Sequence, residues 1–410
     1  MYLILARFLS GQFIIQLVNV LTGILVLWLL PVSEYAFYVI ALLLSTIISM
    51  VGNMGISQAI ATFGAKRHDD GAYLGALYST GLSVSKILFV FAVVCVLVVS
   101  LIVFRGKDWS LVAIAIALML VVLIGWLQNR VAMKQVVINI QHDDKALFVA
   151  GVGGGGARLV TCGLILIWPE ATVALIGNFV GALVTNVVLT GSVRKYADAG
   201  VMEDPEMRLS IVRFIKPLAP VIVYVAFKEQ ISILILGFYG QVELIAHVGA
   251  LGRLGQIIAL LMMLNPFFLQ PYFARIIVRK QFIDRIGQVC MLLSIFSVGA
   301  VLSTILFPAP WLFILGGHYA GLVQELPVAV SGGILTLIGG TLYTIVISRG
   351  DTASQYWSVL LGITSQLVFI GINGIQTAMD ALYLNLLPSL SYLCLQAMIL
   401  ARMLYRWKED

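Results

Sequence analysis

Charged residues are scarce in this sequence. Only 11% of its 410 residues are Asp, Glu, Lys or Arg, whereas a soluble globular domain carries about 25%. Hydrophobic residues account for 61%. This composition excludes a water-soluble fold. The formal net charge is +6, and we attribute that excess to loops that orient the chain in a membrane rather than to a nucleic-acid partner.

Side chains that commonly carry chemistry are also few. The sequence has four cysteines and four histidines. None of them has the spacing of a metal site, a disulfide framework or a nucleophile motif. The connections between apolar segments are short, which leaves no room for a soluble catalytic domain. We therefore predict a protein that is not an enzyme and that uses no metal or other cofactor.

Long apolar segments are what the sequence does contain. Most of them approach or exceed the ~20 residues that a helix needs to cross a hydrocarbon layer of ~30 Å. The pattern predicts an all-α polytopic membrane protein with twelve transmembrane helices. The predicted spans are 8–30, 35–62, 75–104, 109–128, 146–168, 171–193, 214–238, 243–272, 286–307, 324–348, 355–375 and 378–402.

The positive charges predict the orientation of these spans. If the N-terminus is cytoplasmic, 19 of the 25 Lys and Arg residues fall in inner connections or at inner ends. Only Arg105 and Lys107 fall outside. Because inner loops of membrane proteins are enriched in Lys and Arg, the asymmetry predicts that both termini are cytoplasmic.

The longest inner connection divides the chain into two sets of six spans. We predict an N-terminal bundle at 1–195, a cytoplasmic linker at 196–212 and a C-terminal bundle at 213–410. A shift of 209 positions aligns Glu34 with Glu243 and Ala41-Leu42 with Ala250-Leu251 without a gap. An even number of spans in each half makes this a parallel repeat. The expected architecture is two six-helix bundles related by a pseudo-twofold axis along the membrane normal.

Four basic residues fall inside the spans. A charge costs free energy inside a membrane, so an embedded basic residue suggests a functional role. Arg158 follows a glycine run, Gly151 to Gly156, and lies ~20 Å from the inner end of its span. It either faces a wet cavity or forms a structural ion pair. The glycines are typical of close helix packing, since a phosphate loop would need a Gly-Lys-Ser/Thr ending. The others are Lys86, Lys228 and Arg253.

The remaining embedded charges leave alternatives open. Lys228 and Glu229 are sequence neighbours in the seventh span, so they point ~100° apart and each needs a partner elsewhere. Glu229 can hold Arg253 or Arg158 in place, or can form a purely structural pair. Lys86 either faces the cavity or snorkels to the inner interface.

Polar residues recur on two other spans. Gln12, Gln16 and Asn19 form one stripe at helical spacing on the first span, and Asn178 lies in the sixth. Such residues either line water or bond neighbouring helices.

Four short stretches resemble a known family. Glu34-Tyr35-Ala36-Phe37-Tyr38, with Gly55-Ile56-Ser57-Gln58 at the end of the second span, resembles the opening of polysaccharide-biosynthesis flippases. Leu234-Ile235-Leu236-Gly237 and Ala250-Leu251-Gly252-Arg253-Leu254 resemble their seventh and eighth helices. These proteins belong to the multidrug/oligosaccharidyl-lipid/polysaccharide exporter superfamily. The chain departs from the pattern at Lys228-Glu229, where an acidic residue alone is usual, and at His247, where an aromatic residue often stands.

The resemblance implies alternating access by two bundles in the bacterial cytoplasmic (inner) membrane. The implied cargo is an undecaprenyl-diphosphate-linked oligosaccharide, and the implied partners are this lipid-linked glycan, membrane lipid and glycan polymerase machinery. An ion-coupled drug or small-molecule exporter of the same superfamily is the alternative. Arg158, Lys228 and Arg253 favour the flippase, because a cationic lumen suits a diphosphate, whereas a cation exporter would present bare carboxylates.

Overall fold

The computed structural model describes residues 2–105, 107–198, 202–217, 219–228, 230–239, 241–263, 265–276, 278–349 and 355–406. Helices form nearly all of the regular structure in these ranges, and none of these residues lies in a β-strand. The predicted all-α class is therefore confirmed.

The helices follow one another along the chain with short connections. Each predicted span overlaps at least one of these helices. In the first part of the chain they are α1 Tyr2–Leu29, α2 Val32–Asn53, α3 Ile56–Gly64, α4 Gly71–Val103, α5 Leu111–Ile140, α6 Asp144–Cys162, α7 Ala171–Val193, α8 Pro205–Ile215 and α9 Ala219–Lys228. They continue as α10 Ile231–Phe238, α11 Val242–Ala259, α12 Gln270–Ala274, α13 Arg279–Leu306, α14 Pro308–Leu315, α15 Leu326–Ile347, α16 Tyr356–Asn373 and α17 Ala378–Tyr405.

The outer surface of these helices is apolar. The exposed fractions of three large side chains are high, at 75% for Leu101, 84% for Leu111 and 76% for Ile372. In the most apolar stretch of α13, only 6% of the residues are buried. Such a surface is stable only where lipid replaces water. Within the described part of the chain, ten helices are long and apolar enough to cross a membrane, and Phe13–Leu29 adds a shorter apolar stretch. The chain is a multi-pass membrane protein.

The second predicted span is broken near its C-terminal end. Met54 and Gly55 both adopt left-handed backbone conformations, with φ of 36° and 85°, so α2 stops and α3 starts in a new direction. Asn53 stabilises the break, because its side chain accepts a hydrogen bond from the Ser57 backbone amide (3.0 Å) and donates one to the Ser57 hydroxyl (2.7 Å). Hydropathy alone does not detect such a break.

Three further spans differ from the regular helices that hydropathy predicts. The seventh is split into α9 and α10. The eighth passes from α11 into a 3₁₀ turn and then a π-helical turn at Asn265–Leu269, where Pro266 cannot donate a backbone hydrogen bond. The fourth was expected to end at 128, but α5 stays helical to Ile140 and includes Lys134. The predicted end of the fourth span places Lys134 in the connection that follows it, and the structure corrects this, because Lys134 lies on α5.

The described residues group into two compact units. Unit 1 comprises 1–230 and 237–242, and unit 2 comprises 231–236 and 243–410. Residues of the predicted linker take part in unit 1, since α8 buries Ile211 and Ile215 against Ile56 and Leu77 of α3 and α4. The core of unit 2 joins α12, α13, α15 and α17 through Phe273, Phe282, Ile345 and Leu395. The predicted division at 196–212 and the pseudo-twofold axis stay predictions.

The C-terminal end of α10 belongs to unit 1. The Lys107 amine, in the connection after α4, donates a hydrogen bond to the Gly237 carbonyl oxygen at 2.7 Å. A β-carbon on Gly237 would lie 2.9 Å from Cγ1 of Val103. Burial lowers the pKa of Lys107. The connection after α4 and the C-terminal end of α10, which are distant in sequence, thus belong to the same compact unit.

The two residues aligned by the 209-position shift occupy equivalent places. Glu34 stands in the first turn of α2, and Glu243 stands in the first turn of α11. A carboxylate is favourable there because the helix N-terminus carries a partial positive charge. Glu34 also accepts a hydrogen bond from the backbone amide of Ala171 at 2.8 Å, which fixes the start of α7.

The orientation of unit 1 can be measured by cysteine accessibility. In a variant without the four native cysteines, we expect Glu203→Cys, in the exposed connection before α8, to react with an impermeant maleimide only after the cells are permeabilised. Asp108→Cys, in the exposed connection after α4, should react in intact cells. Labelling of Glu203→Cys in intact cells would show that the predicted orientation is inverted.

Candidate functional site

The glycines of α6 allow this helix to pack closely against two neighbours. A β-carbon on Gly155 would lie 2.8 Å from Val18 of α1, and one on Gly154 would lie 2.8 Å from the Gly181 carbonyl oxygen of α7. Small residues permit such close approach of membrane helices. The interpretation of the glycine run as a packing surface is confirmed at Gly154 and Gly155.

Arg158 lies deep in unit 1 beside this packing surface. It is 14 residues after Asp144 and 10 before Trp168, or ~21 Å and ~15 Å at 1.5 Å per residue. Its β-carbon would be 2.8 Å from a β-carbon placed on Gly181, so the absence of a side chain at Gly181 provides room for it. At either distance, the guanidinium lies too deep for the extended side chain to bring it easily to the membrane interface.

The Arg158 guanidinium has few partners. The side chain is half-buried, and its Nε atom is buried without a hydrogen-bond acceptor. Cys162, whose thiol is only a weak hydrogen-bonding group, lies one turn further along α6. No carboxylate among the described residues forms an ion pair with it. A buried structural ion pair, one of the two alternatives for Arg158, is therefore not formed within the described part of the chain.

Lys228 lies at a helix end rather than in the middle of a helix. It is the last residue of α9, and Gln230 continues in a turn whose backbone amide bonds the Phe227 carbonyl oxygen at 2.9 Å. The last carbonyl groups of a helix are unpaired and carry partial negative charge, which stabilises a cation. This local stabilisation explains how a half-buried lysine is tolerated. Glu229 lies outside the described residues.

Arg253 belongs to unit 2. It is 11 residues into α11, ~17 Å from its start, and is half-buried. Its Nη1 donates a hydrogen bond to Oε1 of Gln256 at 3.1 Å. A β-carbon on Gly333 would lie 3.2 Å from the Gly255 α-carbon, so α11 and α15 meet closely beside it. The convergence of Arg158, Lys228 and Arg253 on one lumen stays a prediction.

The surroundings of Lys86 favour snorkelling. Helix α4 has 33 residues and is ~50 Å long, which exceeds a ~30 Å hydrocarbon layer by ~20 Å. Lys86 is 17 residues before Val103, or ~26 Å, so with the Val103 end at one interface it lies near the opposite boundary of the hydrocarbon layer. Val90 and Val94 continue its exposed face at 61% and 55% exposure, as expected of a lysine stem on a lipid-facing surface.

The polar residues of α1 and α7 differ in their environment. Gln16 and Asn19 are half-buried, and the side chain of Gln12 lies outside the described part. Asn178 is buried, and its amide donates to the Tyr38 hydroxyl and to the Ala174 carbonyl oxygen, both at 2.9 Å. Asn178 thus bonds α7 to α2, which is the helix-bonding alternative.

The bond between Tyr38 and Asn178 can be tested by mutation. We expect Tyr38→Phe to lower the free energy of unfolding by about 1 kcal/mol, because Asn178 keeps its bond to Ala174 and loses only one acceptor. Tyr78→Phe, a partly buried position elsewhere in unit 1, is the matched control. Unfolding in detergent measures the difference, and equal stability of both variants would contradict the assigned bond.

Lys134 is a candidate that hydropathy missed. It is 5% exposed, and its Nζ donates to Oδ1 of Asn186 at 2.7 Å, to the Asn186 carbonyl oxygen at 3.2 Å and to the Thr190 hydroxyl at 2.5 Å. The signal was available in the sequence, since Asn186 and Thr190 are one helical turn apart on the sixth span. In the described residues, no group of three His, Cys, Asp or Glu could hold a metal ion.

Comparison with known proteins establishes the fold. No protein-family model and no characterised protein sequence matches the chain. Among solved structures, an inward-facing multidrug resistance MATE family transporter of the MOP superfamily has a TM-score of 0.67 at 14% identity, covering 95% of this chain and 94% of the other. An outward-facing structure of such a transporter scores 0.64 at 15% identity, covering 99% and 97%.

A flippase shares the same fold. The lipid II flippase MurJ, in an inward closed conformation, has a TM-score of 0.65 at 12% identity, covering 99% of this chain and 94% of the other. Identities this low show a common fold and nothing finer. The chain therefore has the polytopic fold of MATE transporters and of MurJ.

Proposed function

We propose that the protein is a flippase that moves an undecaprenyl-diphosphate-linked oligosaccharide across the bacterial cytoplasmic membrane by alternating access, for the biosynthesis of cell-surface polysaccharide. The main support is Arg158, a half-buried cation ~15–21 Å from either end of its span with no carboxylate partner among the described residues. Embedding a charge costs ~2.5–3.5 kcal/mol on the insertion scale, so its retention calls for an anionic partner.

A diphosphate meets the requirements of this site. The guanidinium presents planar, permanently charged donors that match phosphate oxygens, and the buried Nε of Arg158 is one donor without an acceptor. The polyprenyl tail can stay in lipid while the diphosphate and sugars pass through the protein.

Lys228 and Arg253 extend this proposal to a cationic lumen. Both are half-buried and deep in their spans. Glu229 would hold one of the basic groups in place while the lumen is empty. Gln16 and Asn19, with Gln12 on the same stripe, would contact the sugars, whose hydroxyl groups need hydrogen-bond partners.

The alternative is an ion-coupled drug or small-molecule exporter, since MATE transporters share the fold. The chemistry of the embedded residues favours the flippase. A cationic drug needs carboxylates in the cavity, and the deep charges that the structure describes are Arg158, Lys228 and Arg253. The proposed partners, besides the lipid-linked glycan and membrane lipid, are components of the glycan polymerase machinery.

The decisive experiment is depletion of the protein in its own cells, followed by assay of lipid-linked glycans. We expect these glycans to accumulate and to resist an impermeant labelling reagent in intact cells, because they remain in the cytoplasmic leaflet. Re-expression of the wild type should restore their accessibility, and a panel of drugs should retain its potency. Unchanged lipid-linked glycans together with altered drug sensitivity would favour the exporter.

A further inference from the structure

A second cationic site lies away from Arg158, at the inner ends of α5 and α7. It consists of Arg130 and Lys134, one helical turn apart on α5, and Arg194, one turn after Thr190 at the end of α7. We call these three residues the basic triad. The bonds from Lys134 to Asn186 and Thr190 hold α5 against α7, which brings Arg194 to the same end of the helix pair as Arg130 and Lys134.

The positive charge of the basic triad is not neutralised. The three hydrogens of the Lys134 ammonium go to three uncharged oxygens, so its hydrogen-bonding capacity is satisfied while its charge is not. No carboxylate within the described ranges forms an ion pair with any of the three residues. Like charges at the same end of two packed helices repel each other, and an anion from outside the chain would relieve that repulsion.

Arg130 is positioned to receive such an anion. Its guanidinium stacks on the Trp126 ring, with 4.5 Å from Cζ to the ring centroid. Trp126 is itself fixed by an edge contact with Phe89, with 4.9 Å between ring centroids. The Nε atom of Arg130 is buried without an acceptor, and no described residue accepts a hydrogen bond from this side chain. The group is therefore held in place with its donors unused.

The depth of the basic triad indicates which anion it meets. Counted from Leu111 at the outer end of α5, Arg130 is 19 residues and Lys134 is 23 residues further along, or ~28 Å and ~34 Å. A hydrocarbon layer is ~30 Å thick. Both side chains therefore lie at the level of the lipid headgroups, where basic pockets between membrane helices bind the phosphates of anionic lipids.

We propose that the basic triad binds the phosphate of an anionic phospholipid headgroup. Arg130 and the exposed Arg194 contact the phosphate oxygens, and Lys134, whose donors are all occupied, is a positioning residue that fixes α7 and adds to the local potential. Phosphate is also present in solution and in the polyprenyl diphosphate of the proposed substrate. The test must separate these three sources.

The experiment uses the full-length protein purified in detergent, with native mass spectrometry and thermal unfolding as readouts that need no transport activity. We expect dipalmitoyl phosphatidylglycerol to remain bound and to raise the unfolding temperature more than phosphatidylcholine does. In Arg130→Gln/Arg194→Gln, the affinity for phosphatidylglycerol should fall about tenfold or more, as expected for the loss of charge-assisted hydrogen bonds. Arg130→Lys/Arg194→Lys should keep part of the affinity and shows whether a folded protein is retained.

The matched control is Arg208→Gln/Arg213→Gln. These two exposed arginines lie on α8 of the same unit, so the net charge changes equally. Affinity for phosphatidylglycerol within about twofold of the wild type in this control, with loss in the triad variant, supports the proposal. Equal affinity in the triad variant and the wild type overturns it. Equal protection by inorganic phosphate, or stronger binding of a short-chain polyprenyl diphosphate than of phosphatidylglycerol, also overturns the assignment to phospholipid.

Discussion

Replacement of Arg158 by alanine is expected to reduce glycan flipping at least about tenfold, while the protein remains inserted and abundant. Removing one charged hydrogen-bonding group from a phosphate site costs ~1.5–3 kcal/mol, which corresponds to a ~10- to 100-fold loss of affinity. Arg158→Glu should abolish flipping, because it replaces attraction of the diphosphate by repulsion. Arg158→Lys should retain part of the activity if charge dominates, and little if the two-pronged guanidinium is needed.

The measurement is the outer-leaflet accessibility of lipid-linked glycan in cells that express each variant at equal abundance. Arg105→Ala is the control, because this arginine is exposed and lies in the connection after α4. It should flip glycan as the wild type does. Normal flipping by Arg158→Ala at wild-type abundance would refute the role of Arg158 in a cationic lumen.

Two alanine substitutions two residues apart on α6 should change stability in opposite directions. In Gly154→Ala, the new β-carbon would lie 2.8 Å from the Gly181 carbonyl oxygen and would overlap the Thr185 side chain. The backbone at Gly181 cannot move aside by itself, so α6 and α7 must separate. This separation should lower the free energy of unfolding by ~1–3 kcal/mol. In Gly156→Ala the β-carbon meets no atom within 4 Å, and the gain in helix propensity is ~0.5–1 kcal/mol.

Thermal unfolding of both variants in the same detergent measures this difference. We expect the unfolding temperature of Gly154→Ala to fall below the wild-type value and that of Gly156→Ala to equal or exceed it. Because both residues lie on one helix and undergo the same chemical change, each is the control for the other. An unfolding temperature of Gly154→Ala at or above that of Gly156→Ala would show that the α6–α7 contact is looser than described.

Hydropathy predicts the transmembrane helices well because lipid imposes a simple requirement on each one. Every predicted span coincides with helical structure, and the all-α membrane class is confirmed. The interruptions were not predictable in the same way. A hydropathy window averages over residues, so it does not register the left-handed Met54 or the end of α9 at Lys228. Hydropathy also marks the end of a span where the apolar residues end. Helix α5 nevertheless continues to Ile140, because its last turns pack on α7.

For the candidate site, the depth of a residue in the membrane could be predicted from the sequence, but the residues that it contacts could not. The distance of Arg158 from the end of its span follows from counting residues at 1.5 Å each. Which helix each glycine contacts depends on tertiary packing, as does the pairing of Asn178 with Tyr38, 140 residues away. The buried position of Lys134 has the same origin, since Asn186 and Thr190 satisfy it from a helix that follows ~50 residues later.

The composition of unit 1 has a consequence for biosynthesis. This unit includes 219–230 and 237–242, and the Gly237 carbonyl oxygen bonds the Lys107 amine. Translation therefore has to pass residue 242 before the first unit can close, several seconds after α7 emerges at roughly 5–20 residues per second. During that interval, the surface of α2 that α9 contacts in the finished unit stays uncovered. An insertase or chaperone that shields a half-built bundle would act at this stage, and separately expressed halves divided anywhere between 196 and 242 should assemble poorly.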